Sequence, residues 1–459
     1  MTSLTRKSPT AWLLWLTLAL GLLLGSLQAR AEDGELSKET KACLKCHDKP
    51  GQVKKLEDGD TLSLHISTEK FLQSRHSEND CEDCHSDLDA KTHGKVKTPL
   101  ASKRQLALDM RESCRDCHKK NFKTYDDSLH AALVKEGPKE GRKDAPVCSD
   151  CHNPHTLLNV KQVLPIDQVP CAKCHDAIFK AYSGDVHGLE RVAKGKAAPI
   201  CNDCHTAHAI QAASLGTGVR DNCLKCHDKA EAQHKAWLPN AQRHFEAISC
   251  PVCHNPNAKR RVNLRMFDQA SGLQVREKVG VPQFEEKAMQ ADAGNMGLDE
   301  RALWSMLKDF SQADKSSSTV LRGRLEVMSG VQAHQISEKE NAIKDCNTCH
   351  RAGAQAFQSV SLTIAGADGQ PIRHNVQKEV LTSLLATQSI RGFYAIGSTR
   401  IKLLDVLLVL VMIGACSVPL LHYAVHFSFR NFRARRQAQE RAAQGTAVQP
   451  DGAPDHKGL

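Results

Sequence analysis

Cys148-Ser-Asp-Cys151-His152-Asn-Pro-His155 is the stretch that decides the fold of this 459-residue chain. Its first five residues are one of nine copies of Cys-x-x-Cys-His, and these copies contain 18 of the 19 cysteines. The copies begin at Cys43, Cys81, Cys114, Cys148, Cys171, Cys201, Cys223, Cys250 and Cys346. Such a short pattern at so many positions indicates that the repeat itself organises the fold.

The residue types in the motif point to a covalent cofactor. Cys-x-x-Cys pairs alone are compatible with a zinc ribbon or with disulfides in an exported protein, but neither needs a histidine directly after the second cysteine. With histidine as rare as it is here, nine such coincidences have a chance probability of roughly 10⁻¹², so c-type haem attachment is the better interpretation. The two thiols then form thioethers with the haem, and the histidine becomes the proximal ligand of the iron.

Nine covalent haems c are therefore predicted. The predicted attachment residues are Cys43, Cys46, Cys81, Cys84, Cys114, Cys117, Cys148, Cys151, Cys171, Cys174, Cys201, Cys204, Cys223, Cys226, Cys250, Cys253, Cys346 and Cys349. The predicted proximal iron ligands are His47, His85, His118, His152, His175, His205, His227, His254 and His350.

Histidines outside the motifs are the candidates for the distal side of each iron. The candidates are His65, His76, His93, His130, His155, His187, His208, His234, His244, His334 and His374. They outnumber the nine irons by two, so every haem can have two histidine ligands, and a few of the candidates can be ordinary surface or core residues. The eight methionines show no pairing with the motifs, which argues against methionine-ligated haems.

The first eight motifs form four units of two motifs each. An aromatic residue followed by a histidine lies between the motifs of each unit, in the pairs Phe71 and His76, Tyr125 and His130, Tyr182 and His187, and Trp237 and His244. The units begin at Cys43, Cys114, Cys171 and Cys223. This internal repeat predicts that equivalent histidines have equivalent roles.

Two units carry a further histidine three residues after the second motif, His155 and His208. A histidine so close to a proximal ligand cannot reach the opposite face of the same haem, so we expect each to ligate a neighbouring haem. The equivalent positions are Leu88 in the first unit and Asn257 in the fourth. His93 is available as a substitute in the first unit, and ligation at His85 and His254 stays open.

Haem also accounts for a composition that is poor in core-forming residues. Aromatic residues make up 4% of the chain. Residues 43–254 carry one motif for about every 26 residues, which is below the size at which a chain usually folds alone. We expect a multihaem c-type cytochrome whose short α-helices and loops wrap around a haem array.

The N-terminal segment predicts export. Two basic residues precede an apolar run over 12–24, and Ala29-Arg30-Ala31 offers small residues for cleavage. Residues 1–31 are therefore predicted to be a signal peptide, with an uncleaved membrane anchor as the alternative.

The C-terminal segment predicts a membrane span. Residues 403–427 are mostly apolar and would form a helix about 37 Å long, enough to cross a bilayer with some tilt. The arginines that follow, from Arg430 to Arg436, are typical of a cytoplasmic flank. The sequence predicts a bacterial inner-membrane protein with one C-terminal span and its haem region in the periplasm.

The predicted domain organisation is a signal peptide over 1–31, an octahaem array over 32–258, a membrane-proximal α+β region with the ninth motif over 259–400, a transmembrane helix over 401–430, and a basic flank with a disordered tail over 431–459. Within the α+β region, we expect hairpins around Gly272 and Gly369 and a helix over 298–310. Leu303, Trp304, Leu307 and Phe310 would share one face of that helix.

The doubled motif, the aromatic–histidine element and the trailing His155 and His208 give the chain a resemblance to a known family. It resembles the membrane-anchored periplasmic multihaem cytochromes c of anaerobic respiratory chains in Gram-negative bacteria. The resemblance covers residues 41–257 and only loosely the rest. It implies periplasmic electron transfer with a quinol-oxidising cytochrome b, or another quinol-oxidising subunit, as membrane partner and periplasmic or outer-membrane cytochromes as acceptors.

The alternative is a multihaem oxidoreductase that acts on a small nitrogen or sulfur substrate at one open haem. No Cys-x-x-Cys-Lys occurs and distal histidines are in surplus, so no catalytic residue is predicted and an electron carrier is favoured. The formal net charge of +10 does not indicate nucleic-acid binding, because the haem propionates would more than cancel it.

Two histidines in the apolar segment, His422 and His426, lie one helical turn apart. Ionisable groups at membrane depth indicate function, here docking of the helix on the membrane partner close to the ninth haem. Interfacial snorkelling or packing against a neighbouring helix are the alternatives.

Overall fold

The computed structural model describes residues 36–445 except 89–90, 92, 94–98, 139–143, 158–168, 195–197, 213–218, 278–282, 314–318, 385, 387–389 and 391–392. The predicted signal peptide and the predicted tail beyond Gly445 lie outside the described residues. The described part is rich in helix, with a four-stranded sheet, a two-stranded hairpin and one long apolar C-terminal helix.

Short helices make up most of the motif region. They are α1 Lys38–His47, α2 Thr68–Leu72, α3 Cys81–Cys84, α4 Lys103–Asp109, α5 Arg111–Cys117, α6 Lys119–Tyr125, α7 Leu129–Glu136, α8 Cys148–Cys151, α9 Asp176–Ser183, α10 Val186–Lys194, α11 Cys201–Cys204, α12 Val219–Leu224, α13 Ala230–Lys235, α14 Ala241–Ala247 and α15 Cys250–His254. A 3₁₀ helix covers Pro170–Lys173, and a short hairpin pairs β1 Val53–Lys55 with β2 Thr61–Ser63.

The remaining elements lie between the eighth motif and the C-terminus. They are β3 Arg260–Asp268, α16 Glu285–Ala291, α17 Glu300–Ala313, β4 Thr319–Val327, α18 Gly330–Ala333, β5 Val360–Ala365, β6 Pro371–Val376 and α19 Lys402–Gly445. Further 3₁₀ helices cover Lys339–Asn341, Cys346–Thr348, Gln355–Phe357 and Lys378–Thr382.

The sheet has the strand order β4-β3-β5-β6. β3 pairs antiparallel with β4 and parallel with β5, and β5 pairs antiparallel with β6. The β5–β6 pair confirms the hairpin expected around Gly369. Its turn contains Gly369 at a φ of 79°, a conformation that favours glycine.

The hairpin expected around Gly272 is confirmed only in part. The chain does turn there, with Val275 N donating to Met266 O at 3.0 Å, but only one bridge forms, between Phe267 and Gln274. The nine-residue β4 is the main partner of β3. β4 contributes the buried Leu321 and Leu325, whereas Leu273 is 69% exposed, so pairing with β4 buries more apolar surface.

The apolar face of the sheet holds the largest core of the described residues. Val262, Leu264 and Met266 alternate into it from β3, and α16 and α17 cover it. The helix expected over 298–310 is confirmed as α17, and Leu303 and Leu307 are buried as expected. Trp304, however, is 48% exposed, and Met306 takes a buried position instead.

This α+β region packs along the motif region. Ile248, just before the eighth motif, bridges to Leu325 at the free edge of β4. Val186 N donates to Ile336 O at 3.2 Å, and Ser337 N donates to His254 O at 2.8 Å. The sheet therefore lies beside the third and fourth units and is joined to both by backbone hydrogen bonds.

The C-terminal helix α19 is long and apolar enough to span a bilayer by length and composition. Its side chains are exposed along its length. An ion pair between Arg400 and Asp405 joins the beginning of the helix to the segment before it.

Replacing Leu264 by Ala should destabilise the sheet region by about 3 kcal/mol, because the side chain is fully buried and its loss leaves a cavity. Hydrogen exchange of the β3–β5 amides measures the loss. Leu273→Ala, at a mostly exposed position, is the matched control and should change protection little. Equal effects of the two variants would contradict the core described here.

Candidate haem-binding site

Each Cys-x-x-Cys-His motif is positioned by a single helical turn. In most copies the histidine N–H closes the turn on the carbonyl of the first cysteine, for example His205 N to Cys201 O at 2.8 Å. Three second motifs add an aspartate before the second cysteine, and its carboxylate accepts from the backbone N–H that precedes the turn. These bonds join Asp83 to Asp80, Asp150 to Val147, and Asp203 to Ile200, at 2.7–2.9 Å.

Tyrosines position the chain before two of these turns. Tyr182 donates its hydroxyl to Pro199 O at 2.6 Å, two residues before Cys201. Tyr125 makes the equivalent bond to Pro146 O, two residues before Cys148, at 3.4 Å. In the second and third units, the tyrosine between the two motifs therefore holds the backbone just before the second motif of its own unit.

Every motif histidine lies opposite a histidine from outside the motifs. Their ring centroids are 5.9–6.3 Å apart in all nine pairs. With the motif histidine first, the pairs are His47 with His93, His85 with His155, His118 with His76, His152 with His208, His175 with His130, His205 with His334, His227 with His187, His254 with His234, and His350 with His244.

This spacing fits one metal ion between two imidazoles. A metal–imidazole bond is about 2 Å long and the ligating nitrogen lies about 1.2 Å from its ring centre, so two trans imidazoles have centroids about 6 Å apart. Parallel rings in van der Waals contact would lie about 3.5–4 Å apart. The near-parallel His85 and His155 rings, at 6.1 Å, are therefore too far apart to be stacked in contact. The residues present fit a haem iron.

Hydrogen bonds to the other ring nitrogen orient many of these imidazoles. Among the motif histidines, the Nδ1 atoms of His47 and His350 lie 2.8 and 2.9 Å from the carbonyls of Leu64 and Ile396. Among their partners, the Nδ1 atoms of His76, His234, His244 and His334 lie 2.7–3.2 Å from backbone carbonyls. When Nδ1 donates to a carbonyl, Nε2 is left as the ligating nitrogen.

Burial favours the neutral form of seven of the paired histidines by lowering their pKa values. It lowers the pKa of both partners in the pair His85 and His155, with the neighbouring histidines lowering the values further. The pKa of His155 falls to about 4. Burial is also the main cause of the lowered pKa values of His130, His152, His205, His208 and His254. Neutral imidazole is the form that binds a metal ion.

The pairs follow the repeat. Each histidine that lies between the two motifs of a unit after an aromatic residue faces the first motif of the next unit. These pairs are His76 with His118, His130 with His175, His187 with His227, and His244 with His350. The ninth motif thus occupies the place of the first motif in a fifth, incomplete unit.

The second motifs take their partner from the following unit. The trailing His155 of the second unit faces His85 of the first, and the trailing His208 of the third faces His152 of the second. The fourth unit has Asn257 at this position. His334, which follows α18 in the sheet region, faces His205 in its place.

Two sites have no neighbouring unit to provide a partner. The first motif has no unit before it, and His47 faces His93 of its own unit. The second motif of the fourth unit has no complete unit after it, and His254 faces His234 of its own unit. The trailing position of a unit thus provides the partner for the preceding unit. Leu88 and Asn257 therefore do not leave His85 and His254 without a partner, since these face His155 and His234.

The structure leaves two of the eleven distal candidates outside these pairs. His65 follows Leu64, whose carbonyl accepts from His47 Nδ1, so it lies on the proximal side of the first site. His374 lies on β6 in register with Leu362 and is half-buried. His422 and His426 lie on the exposed surface of α19.

Consecutive motifs contact one another in sequence order. Within units the first cysteines lie close enough for each to shift the pKa of the other, as in Cys171 with Cys201 and Cys223 with Cys250. Cys43 likewise interacts with Cys81, and Cys114 with Cys148.

Between units the contacts involve the second cysteine and its surroundings. α3 packs on α5, and Lys173 donates to Asp150 O at 2.9 Å. Asn222 donates to Cys204 O at 2.5 Å, and Ile343 N donates to Cys253 O at 2.9 Å. All nine motifs therefore form one continuous line from Cys43 to Cys346.

A family model for the doubled CXXCH motif matches residues 190–232. The match spans the motifs at Cys201 and Cys223, where the third unit meets the fourth. It supports a multihaem c-type cytochrome. No curated protein and no solved structure shows significant similarity to the chain. The motifs of this cytochrome indicate covalent haem c and electron transfer.

The sequence predicts all the histidines that form pairs in the structure, but not the backbone carbonyls that orient their rings. The acceptors Leu64, Pro154 and Ile396 lie far from the histidines they contact or have no side-chain signature, so no motif could identify them. Only the acceptors four residues earlier on the same helix, such as Ala230 for His234, follow from helical spacing.

Replacing His334 by Ala should convert one haem from low-spin to high-spin without loss of covalent haem, because the motif at Cys201 is left intact. Electron paramagnetic resonance measures the spin state and intact-protein mass the haem content. His65→Ala is the matched control and should leave every haem low-spin. A high-spin signal in His65→Ala with none in His334→Ala would show that His65 is an iron ligand and that His334 is not.

Proposed function

We propose that this cytochrome is a periplasmic electron carrier with nine covalent haems c, held at the bacterial inner membrane by α19. The observation that carries the proposal is the pairing of all nine motif histidines with a second histidine at about 6 Å. Bound haem supplies reversible one-electron chemistry at its iron. Two imidazoles at an iron leave no coordination position for a substrate, which favours a carrier over the oxidoreductase alternative.

The continuous line of motifs supports transfer over a long distance. Neighbouring motifs touch through side chains or backbone hydrogen bonds at each step, so each attached cofactor has a close neighbour. The polypeptide holds the sites in this order through helix contacts and through distal histidines that belong to adjacent units. The proposed path runs along the sequence between Cys346 and Cys43.

The ninth motif is attached to the segment that leads into α19. His350 Nδ1 lies 2.9 Å from Ile396 O, and the Ser398 hydroxyl donates to the carbonyls of Cys349 and Arg351. Gly397 packs so closely that a Cβ would lie 2.6 Å from His350 O. α19 begins at Lys402, only a few residues further on.

This attachment supports electron delivery from the membrane at the ninth haem. In the proposal, a quinol-oxidising cytochrome b or another quinol-oxidising subunit docks on α19 and reduces the haem at Cys346 first. Electrons then leave for periplasmic or outer-membrane cytochromes at the other end of the line. The exposed His422 and His426 on α19 are available to such a partner.

The proposed haem content is tested by intact-protein mass and electron paramagnetic resonance. The mature protein should carry nine haem increments, all low-spin when oxidised, because each motif histidine has a histidine opposite. Eight or fewer increments would show that a motif is unused. A native high-spin haem that binds nitrite or hydroxylamine would favour the oxidoreductase.

The proposed direction is tested in membranes supplied with menaquinol. Removing the ninth site with Cys346→Ala, Cys349→Ala and His350→Ala should abolish reduction of the remaining haems. The matched control removes the first site with Cys43→Ala, Cys46→Ala and His47→Ala, and its remaining haems should still be reduced. If the ninth-site variant is reduced as fast as the control, electrons arrive elsewhere.

The role of α19 is tested by replacing residues 403–427 with a poly-Leu span of the same length. We expect the substituted protein to stay in the membrane but to lose reduction by menaquinol, since its docking surface is gone. Persistent reduction would mean that the segment is only a tether and that a partner docks on residues 259–400.

A further inference from the structure

One face of the four-stranded sheet carries a cluster of arginines. On β3 the apolar Val262, Leu264 and Met266 alternate with polar residues that point to the opposite side. The cross-strand register brings five arginines and one carboxylate onto that side. We call this the arginine face, and it consists of Arg261, Arg265, Arg322, Arg324, Arg373 and Glu326.

The arginine face is not an ordinary solvated surface. Asn263 and Thr363, which lie among the arginines, are fully buried, and Thr363 donates its hydroxyl to Asn263 Oδ1 at 2.6 Å. Ala365, on the same side of β5, packs against Ala212 and Leu129 from the motif region. This end of the face is therefore covered by the part of the chain that carries the haem-ligating histidines, whereas Arg322 and Arg373 are exposed.

Two distal histidines lie close to this contact, and one motif lies near the opposite edge of the sheet. Leu129 directly precedes His130, and Ala212 lies shortly after His208. At the other edge, the pKa of the Cys250 thiol in the eighth motif is lowered mainly by Cys223 and further by the positive charge of Arg324. The arginine face thus borders haem sites at both of its ends.

The positive charge on this face exceeds the negative charge in the described residues. Glu326 lies 3.4 Å from Arg265 Nη2 and 3.2 Å from Asn263 Nδ2. No described carboxylate forms an ion pair with Arg261, Arg322, Arg324 or Arg373. Arg322 instead lies over the Phe267 ring, at 4.5 Å from its centroid.

Two of these guanidinium groups have buried donors without partners. Arg261 Nε and Arg324 Nε are shielded from solvent and make no hydrogen bond to any residue that the structure describes. Burial lowers the pKa of Arg261, and the nearby Arg373 lowers it further, against the opposing effect of Glu326. A half-buried cluster of like charges with unsatisfied donors is costly unless an anion joins it.

We propose that the arginine face is a binding site for the propionate carboxylates of the haems held at the adjoining motifs, with Arg261 and Arg324 as the principal donors. The inference rests on the haem content proposed above. Arginine binds carboxylates through two parallel hydrogen bonds, which matches the planar guanidinium. Covalent attachment at a neighbouring motif gives such a carboxylate a high effective concentration at this face.

The test is a redox titration of Arg324→Gln and of Arg261→Gln. The haem oxidation state is monitored by visible absorption, and the titration is repeated at several pH values between 6 and 8. Arg301→Gln, at an exposed position on α17, is the matched control, and Arg324→Lys keeps the charge. Intact mass should show unchanged haem content in all variants. The glutamine variants should lower the midpoint potential of a minority of the haems, because a lost positive charge stabilises the ferric form.

The same glutamine variants should also make the midpoint potentials of those haems more dependent on pH than in the original protein. A carboxylate without its arginine has a higher pKa and takes up a proton on reduction. Arg324→Lys should restore most of the original potential. If both glutamine variants give the same potentials and pH profiles as Arg301→Gln, the proposal is wrong. It is also wrong if the shift appears only in phosphate or sulfate buffer, since the bound anion is then free in solution.

Arg373→Gln provides a second variant in case the others do not fold, since its side chain is exposed on the edge strand β6. We expect a smaller shift in the same direction. A haem count below nine in the original protein would reject the proposed stoichiometry without affecting this comparison. The two proposals therefore fail on different measurements.

Discussion

The structure depends on one constraint, the placing of a second imidazole opposite the imidazole of each motif, at a distance that fits one iron between them. Because the motif fixes only one of the two histidines, the other has to come from elsewhere in the chain. In most pairs it comes from an adjacent unit, as with His76 and His118 or His155 and His85. In those pairs the iron would cross-link two units, which closes loops that a chain with so few aromatic residues could not close by apolar packing.

Cross-linking between neighbours explains why the exceptions occur at the ends of the repeat. In a repeat protein each unit contacts its neighbours, and the terminal units need different contacts. His93 and His234 provide such contacts at the first and eighth sites, from within their own units. Where Asn257 breaks the repeat, His334 replaces it, and this replacement ties the sheet region to the third unit. The α+β region is therefore part of the ligand set as well as a link to α19.

The nine motifs and the distal candidates could be predicted from sequence because the chemistry is local: one helical turn carries both thiols and the histidine. The pairing could not, since His334 and His205 meet through packing of the sheet against the third unit. The same distinction holds within the sheet. The β5–β6 hairpin has a short turn at Gly369 and was predicted, whereas β3 pairs across long connections with β4 and β5. The alternating arginines of β3 are visible in the sequence. Only the strand register shows that they share one face of the sheet with the arginines of β4 and β6.

Bis-histidine pairing also links the fold to the function. Two imidazoles at an iron would leave no position at which a substrate could bind, and carbonyls such as Leu64 O and Ile396 O orient several of the rings that would hold it. A site that rearranges little when its charge changes is suited to passing electrons. The presence of a second histidine opposite each motif histidine would thus be a functional feature. It separates a line of carriers from an array with one reactive iron, and it uses the same contacts that hold the units in order.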